Sequence, residues 1–193
     1  MNQRAAELFN RAEGQILALN TLLAGVDDSA LGLPCRAKLG DGTVGAISMF
    51  IADNYLRIAD DVHEASTQAR PTRSGHRIPK WASHGRPQHR DPSGRDQPHA
   101  ANDSYTGPFE LRAIIERLAV ARRRVLTLAD LTDAQLDSIP PSGAMRFADG
   151  KRTLERVITG MLTHQASQRD AVAAALAQVQ RPSPQAPAAR PTC

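Results

Sequence analysis

A histidine and a glutamine stand four residues apart in the last amphipathic segment of the chain. If that segment is a helix, His164 and Gln168 lie on the apolar face that Val157, Met161 and Val172 define. An imidazole on such a face can act as a general base or as a metal ligand, and an amide can hydrogen-bond a bound molecule. The sequence therefore predicts His164 and Gln168 as candidate residues of a polar site, and the alternative for a single inward-facing histidine is a satisfied core residue.

Polar residues also interrupt the apolar faces of two other segments. Asn54 falls on the apolar face of the second segment, and Arg122 interrupts that of the third. Polar groups are costly to bury unless they are paired, so inward-facing ones on three segments favour a shared polar pocket. In that pocket Asn54, Gln168 and Arg122 would contact a ligand. The alternative is a set of scattered, individually satisfied core residues, with Arg122 reaching solvent.

Four segments carry the helical periodicity that would position these residues. Their apolar stripes begin at Ala5, Ile47, Leu111 and Leu154, and the last runs to about Val179. Turn and capping residues precede three of them, at 41–43, 107–108 and 149–150. The connections 23–31 and 128–136 resemble each other, and Thr132 with Gln135 fits a capping box that predicts a short helical turn. The fold class predicted is all-α, a four-helix bundle of two helical hairpins joined by a long loop.

The joining loop, residues 65–105, carries the positive charge of the chain. It holds six Arg and one Lys against three Asp, which accounts for the whole net charge of +4. Five Pro, four His and few apolar residues predict a long loop that interrupts a bundle domain of residues 1–180, and 181–193 read as a disordered tail. A basic arm for nucleic acid is the alternative function. The modest charge surplus and the single Trp make a nucleic-acid partner the weaker hypothesis.

Composition excludes several other classes of protein. Hydrophobic residues make up 41% of the 193 residues and aromatic residues only 4%, which argues against a β-sandwich or barrel. Apolar runs are too short to cross a bilayer, no apolar leader segment is present, and two Cys cannot form a disulfide framework. We therefore expect a cytoplasmic protein without a membrane partner. Cys35 would be a reactive thiol only if Arg36 lowers its pKa.

The last helix resembles a motif of the DinB-like superfamily. The run His164-Gln-Ala-Ser-Gln168-Arg169 is similar to the HQAxHRGQ pattern of that superfamily, and Ala52-Asp53-Asn54 is similar to a run on its second helix that often follows a histidine. Four helices with a long connection between the second and third also match. The resemblance implies a four-helix bundle, often homodimeric, that frequently holds Zn²⁺ or Ni²⁺ through three histidines. Some members are S-transferases or isomerases that use mycothiol, bacillithiol or glutathione.

Carried over residue by residue, the resemblance implies a degenerate metal site. His164 matches one ligand, whereas Gln168 and Phe50 stand where the other two histidines belong. A phenyl ring cannot bind zinc, and an amide is a poor ligand for it, although Asp53 or Asp61 could supply oxygen. We expect no tightly bound cofactor, with a divalent metal or a small thiol as the alternatives. The functions predicted are small-molecule binding or a dimeric scaffold, and the alternative is a thiol-dependent transferase or isomerase with a remodelled site. In that alternative, His164 would be the catalytic base or the sole strong metal ligand, and Arg122 would be a catalytic-site residue that anchors a carboxylate.

Overall fold

The computed structural model describes residues 2–37, 40–68 and 108–179. Most of these residues are helical, and the predicted all-α fold is confirmed. In chain order the elements are α1 (Gln3–Ala24), a 3₁₀ helix (Asp28–Gly32), β1 (Pro34–Ala37), β2 (Gly40–Thr43), α2 (Val44–Gln68), α3 (Leu111–Arg124), a second 3₁₀ helix (Val125–Asp130), α4 (Asp133–Leu136) and α5 (Leu154–Val179).

The four long helices pack around one core. α1 packs most extensively against the second 3₁₀ helix and also against α3 and α5, and α2 packs mainly against α3 and α5, so α1 and α2 are both neighbours of α3 and α5. The core is aliphatic, as the composition predicts, and its largest fully buried side chain is Tyr55. The phenol of Tyr55 donates a hydrogen bond to Oε1 of Gln15, which joins α2 to α1 inside the bundle. Helix packing thus fixes the inner faces of α2 and α5, which carry most of the predicted site residues.

The ends of the helices agree only in part with the predicted boundaries. Thr43 caps α2, since its hydroxyl accepts a hydrogen bond from the backbone N–H of Ala46 at 3.1 Å. The capping box at Thr132 is present and opens the short α4, which confirms the predicted turn. By contrast, α5 begins four residues after Gly150, because the Asp149 carboxylate binds the next backbone N–H groups in a turn of its own.

A two-stranded antiparallel ribbon precedes α2 and was not predicted. β1 and β2 pair in a register that sets Pro34 opposite Thr43 and Cys35 opposite Gly42. Strands of four residues are too short to show a clear alternation in sequence, which explains why periodicity missed them. The ribbon places Cys35 in the core at 1% exposure, and burial raises the pKa of its thiol. The proposed activation of Cys35 by Arg36 is therefore wrong.

The predicted basic loop overlaps the end of α2. That helix continues to Gln68, and Ala65 is buried in the core, so the loop cannot begin at residue 65. The remainder of the loop from 69, and the predicted tail at 181–193, lie outside the described residues. Within the described part of the chain, every helix is too short or too polar to span a membrane.

Candidate functional site

A cavity of about 350 Å³ opens between α2, α5 and the turn that precedes α5. Its walls combine apolar side chains with amide, imidazole and charged groups. The lining residues are Phe50, Asn54, Arg57, Ile58 and Asp61 of α2, Gly143, Met145, Arg146 and Phe147 of the turn, and Met161, His164 and Gln165 of α5. A concave, mostly apolar site with a few convergent polar groups is the usual form of a small-molecule site.

Two amide residues of the cavity wall are buried and keep hydrogen-bonding atoms without a partner among the described residues. Asn54 is 8% exposed and Gln165 is 3% exposed. Nδ2 of Asn54 and Oε1 of Gln165 have no hydrogen-bond partner among the described residues. Each such buried group costs about 1–3 kcal/mol of folding free energy. Both atoms belong to side chains of the cavity wall, where a bound polar group could satisfy them.

The turn before α5 contributes an aromatic residue in an unusual backbone conformation. Phe147 has φ +67°, in the left-handed region that bulky side chains rarely adopt. Its ring lies edge-on to the imidazole of His164, with centroids 6.0 Å apart and planes at 67°. The guanidinium of Arg146 lies over the same ring, 5.1 Å from its centroid. Such strain costs about 1–3 kcal/mol and is concentrated at functional sites in proteins, which makes this turn a candidate functional element.

Charged groups of both signs lie at the cavity. Arg57 is exposed on α2, Arg146 is half-buried on the turn, and Asp61 is half-buried one helical turn beyond Arg57. Burial raises the pKa of Asp61, and the charge of Arg57 opposes that shift. Burial also lowers the pKa of Arg146, and repulsion from Arg57 adds to this effect. The two cations therefore repel each other across the site.

The structure brings two of the predicted site residues together. His164 is half-buried on α5 and lines the cavity with Asn54 of α2. Phe50 lines the same cavity, at the α2 position where the DinB-like resemblance expects a histidine. The shared position of His164 and Asn54 agrees with the predicted pocket. The predicted roles of His164 as catalytic residue or metal ligand stay predictions.

Two other predicted site residues lie elsewhere. Arg122 does not join His164: it is exposed at the α1–α3 side of the bundle, where its guanidinium pairs with the Glu13 carboxylate at 2.7 Å. Its long side chain reaches solvent and a counter-charge instead of burying a cation, so the prediction of Arg122 as a carboxylate anchor beside His164 is wrong. Gln168 is fully buried but is not among the lining residues, so a direct contact between Gln168 and a ligand of this cavity is not supported.

The two carboxylates suggested as oxygen ligands for a metal also lie in different places. Asp53 pairs with Arg117 of α3 and does not line the cavity, whereas Asp61 does. Among the residues that the structure describes, no three His, Cys, Asp or Glu side chains come close enough to hold a metal ion together. The described part of the cavity therefore offers one imidazole and one carboxylate, which is fewer ligands than a stable transition-metal site requires.

Sequence reasoning missed the contribution of the turn at 143–147. Helical periodicity identifies faces of long helices and carries no information about an irregular segment. Gly143 and Gly150, both at positive φ, frame the turn and were the available signal that the chain bends back here. Gln165 lies at the edge of the apolar stripe of α5, so periodicity does not single it out, and in the structure it lines the cavity.

Comparison of the chain with protein-family models, with curated proteins and with solved structures finds no match in any of the three. The arguments for function therefore come from the site itself.

Proposed function

We propose that this protein binds a small molecule in the cavity between α2, the 143–147 turn and α5. The observation that carries the proposal is the pair of buried amides, Asn54 and Gln165, whose side chains line an otherwise largely apolar cavity and each keep a hydrogen-bonding atom without a partner among the described residues. Buried polar groups in proteins are nearly always paired, so two exceptions in one cavity call for a partner. A ligand that bonds them would recover the free energy that their burial costs.

The dimensions and strain of the site support the same proposal. A cavity of about 350 Å³ is at the lower end of the range for small-molecule sites. The strained Phe147 stands at its wall, and a fold under selection for stability alone would place glycine or asparagine at that backbone position. The ligand would be a compact molecule with an apolar body and one polar end.

A titration with small amides tests the proposal. Hexanamide and phenylacetamide are neutral, have apolar bodies and offer both a donor and an acceptor to the two buried amides. Ligand-observed NMR should detect binding to the wild-type protein and weaker binding to Asn54→Leu, which keeps the branched shape of the side chain but removes the polar contact. Arg122→Gln, a change on the far side of the bundle, should bind like wild type. Equal binding by wild type and Asn54→Leu would overturn the proposal.

The alternative is a thiol-dependent transferase or isomerase, and metal content separates it from simple binding. That alternative, implied by the DinB-like resemblance, uses a bound divalent metal that His164 would hold. Elemental analysis of the purified protein should find no stoichiometric zinc or nickel if the cavity is a binding site without metal chemistry. One equivalent of metal, lost in His164→Ala, would favour the enzyme.

A dimeric scaffold is the other function that the resemblance implies. A scaffold would need no ligand, so a homodimer in light scattering whose cavity binds no small molecule would support it over the binding proposal. A homodimer that also binds the amides is compatible with small-molecule binding.

A further inference from the structure

We infer that the molecule bound in this cavity carries a single carboxylate, which Arg57 and Arg146 hold between them. This inference rests on the proposed small-molecule function and names the chemical class of the ligand. It assigns a role to two arginines that come from different elements, one from α2 and one from the 143–147 turn.

Neither guanidinium group forms a close ion pair with a described residue. Other arginines of the described part of the chain pair with an Asp or Glu within 4.0 Å, as Arg117 and Arg122 do. Among the described residues, neither Arg57 nor Arg146 has such an ion pair, although both line one cavity. Two like charges on one wall repel each other, and an anion between them would replace that repulsion with two attractions.

The aromatic ring of Phe147 positions the side chain of Arg146. Its guanidinium lies over the ring of Phe147, the residue whose left-handed backbone carries the strain of the turn. Stacking of this kind fixes the plane of a guanidinium while leaving its N–H edge free to donate hydrogen bonds. A planar carboxylate accepts two parallel N–H donors from such an edge, which gives arginine its preference for this group.

The charged residues of the lining favour a ligand with a single negative charge. Asp61 lines the same cavity one helical turn from Arg57. At their formal charges, Arg57, Arg146 and Asp61 together leave one net positive charge on the lining. A singly charged carboxylate neutralises this charge, whereas a phosphate dianion would leave the site negative and would face the carboxylate of Asp61. The apolar residues of the wall, among them Met145 and Met161, would receive the hydrocarbon part of the acid.

Matched acids and amides test this inference separately from the proposed function. Phenylacetate and phenylacetamide, or hexanoate and hexanamide, share a body and differ in charge, and phenyl phosphate adds a dianion of similar size. Titration calorimetry with the full chain should give an affinity for each acid that is roughly tenfold higher than for its amide, and higher than for phenyl phosphate.

Substitutions of the charged residues of the cavity test which of them cause the preference for the acid over the amide. Arg57→Gln and Arg146→Gln should each weaken the binding of the acid roughly tenfold and leave the binding of the amide nearly unchanged. Asp61→Asn should strengthen the binding of the acid several-fold by removing a like charge. Arg112→Gln is the matched control, because Arg112 is an exposed residue of α3 that pairs with Glu116 outside the cavity, and it should change nothing. Thermal melts of each variant verify that it is folded.

The other outcomes contradict either the carboxylate inference alone or the proposed function as well. Equal affinity for acid and amide would overturn the carboxylate inference while supporting small-molecule binding at the cavity. Tighter binding of phenyl phosphate than of phenylacetate would overturn the single negative charge. A preference for acids that survives both arginine substitutions would overturn the assignment to Arg57 and Arg146. Absence of binding by acids and amides alike would contradict the inference and the proposed function together.

Discussion

Replacing Asn54 with leucine is expected to stabilise the ligand-free protein. The side chain is 8% exposed, and its Nδ2 donates no hydrogen bond to any described residue. A buried unpaired donor costs about 1–3 kcal/mol, and leucine has the same branched shape with no polar atom. Because the two methyl groups of leucine are bulkier than the amide they replace, we expect Asn54→Leu to gain about 1–2 kcal/mol in the free energy of unfolding, less than the full cost of the donor. For a domain of this size that corresponds to about 2–8 °C in Tm.

Gln15→Leu is the matched control, with the opposite expected sign. Gln15 is also a buried amide on an inner helix face, but its Oε1 accepts a hydrogen bond from the Tyr55 phenol. Leucine at this position leaves a hydroxyl unpaired in the core, since Tyr55 is 1% exposed, and should lose about 1–3 kcal/mol. The two substitutions remove the same type of group and differ in whether the fold uses it.

Urea unfolding measured by circular dichroism checks both variants. The midpoint should rise for Asn54→Leu and fall for Gln15→Leu, while the slope m stays constant in both. A fall for Asn54→Leu comparable with that of Gln15→Leu would refute the reasoning, because it would mean that the fold itself satisfies the amide of Asn54. The site would then have no unused hydrogen-bonding group at that position.

Three further outcomes are expected. Phe147→Gly should be more stable than Phe147→Ala by about 1 kcal/mol in urea unfolding, because alanine keeps the strain at φ +67° and glycine relieves it; equal stabilities would contradict the strained backbone. Gln168→Met should raise the free energy of unfolding by about 1–3 kcal/mol, since both amide atoms of this fully buried residue lack partners among the described residues. Ligand affinity should stay unchanged, because Gln168 does not line the cavity. A lower stability of the variant would show that the amide atoms of Gln168 are hydrogen-bonded in the wild type. Asp61→Asn should be more stable than wild type at pH 7 and equal to it at pH 3. Burial raises the folded pKa of Asp61, so the wild-type protein loses stability as the pH rises from below the unfolded pKa of 3.8 through the folded pKa. A stability difference between the two proteins that does not change with pH would contradict the burial of this carboxylate.

Helical periodicity predicted the scaffold well because the signal extends over long segments. The apolar stripes of α2 and α5 repeat over many turns, so their inner faces could be assigned before any coordinates were known. The same reasoning placed His164 and Asn54 toward a shared interior, and the two residues do line one cavity. Boundaries were less certain, as the late start of α5 and the extension of α2 past residue 65 show.

The rest of the site depends on features that periodicity does not contain. Arg122 has the angular position of an inward-facing residue on α3, but its length lets the guanidinium reach Glu13 at the surface. Angular position alone cannot distinguish a buried guanidinium from one that reaches the surface. Arg146 and Phe147 belong to an irregular turn whose path follows from tertiary packing and from a left-handed residue. Arg57 is exposed by any helical count, and only the fold of the turn over α2 makes it part of a cavity wall.

The most direct test of the central claim is an NMR titration that observes the two buried side-chain amides. Asn54 and Gln165 each carry an NH₂ group whose resonances can be assigned by comparison with Asn54→Leu and Gln165→Leu. Addition of phenylacetate should shift both sets of resonances along one binding curve with a common Kd, while the amide of Gln15, bonded to Tyr55, stays unchanged. Shifts at Gln15 or at surface amides only, with those of Asn54 and Gln165 constant at saturating acid, would contradict a ligand site in this cavity.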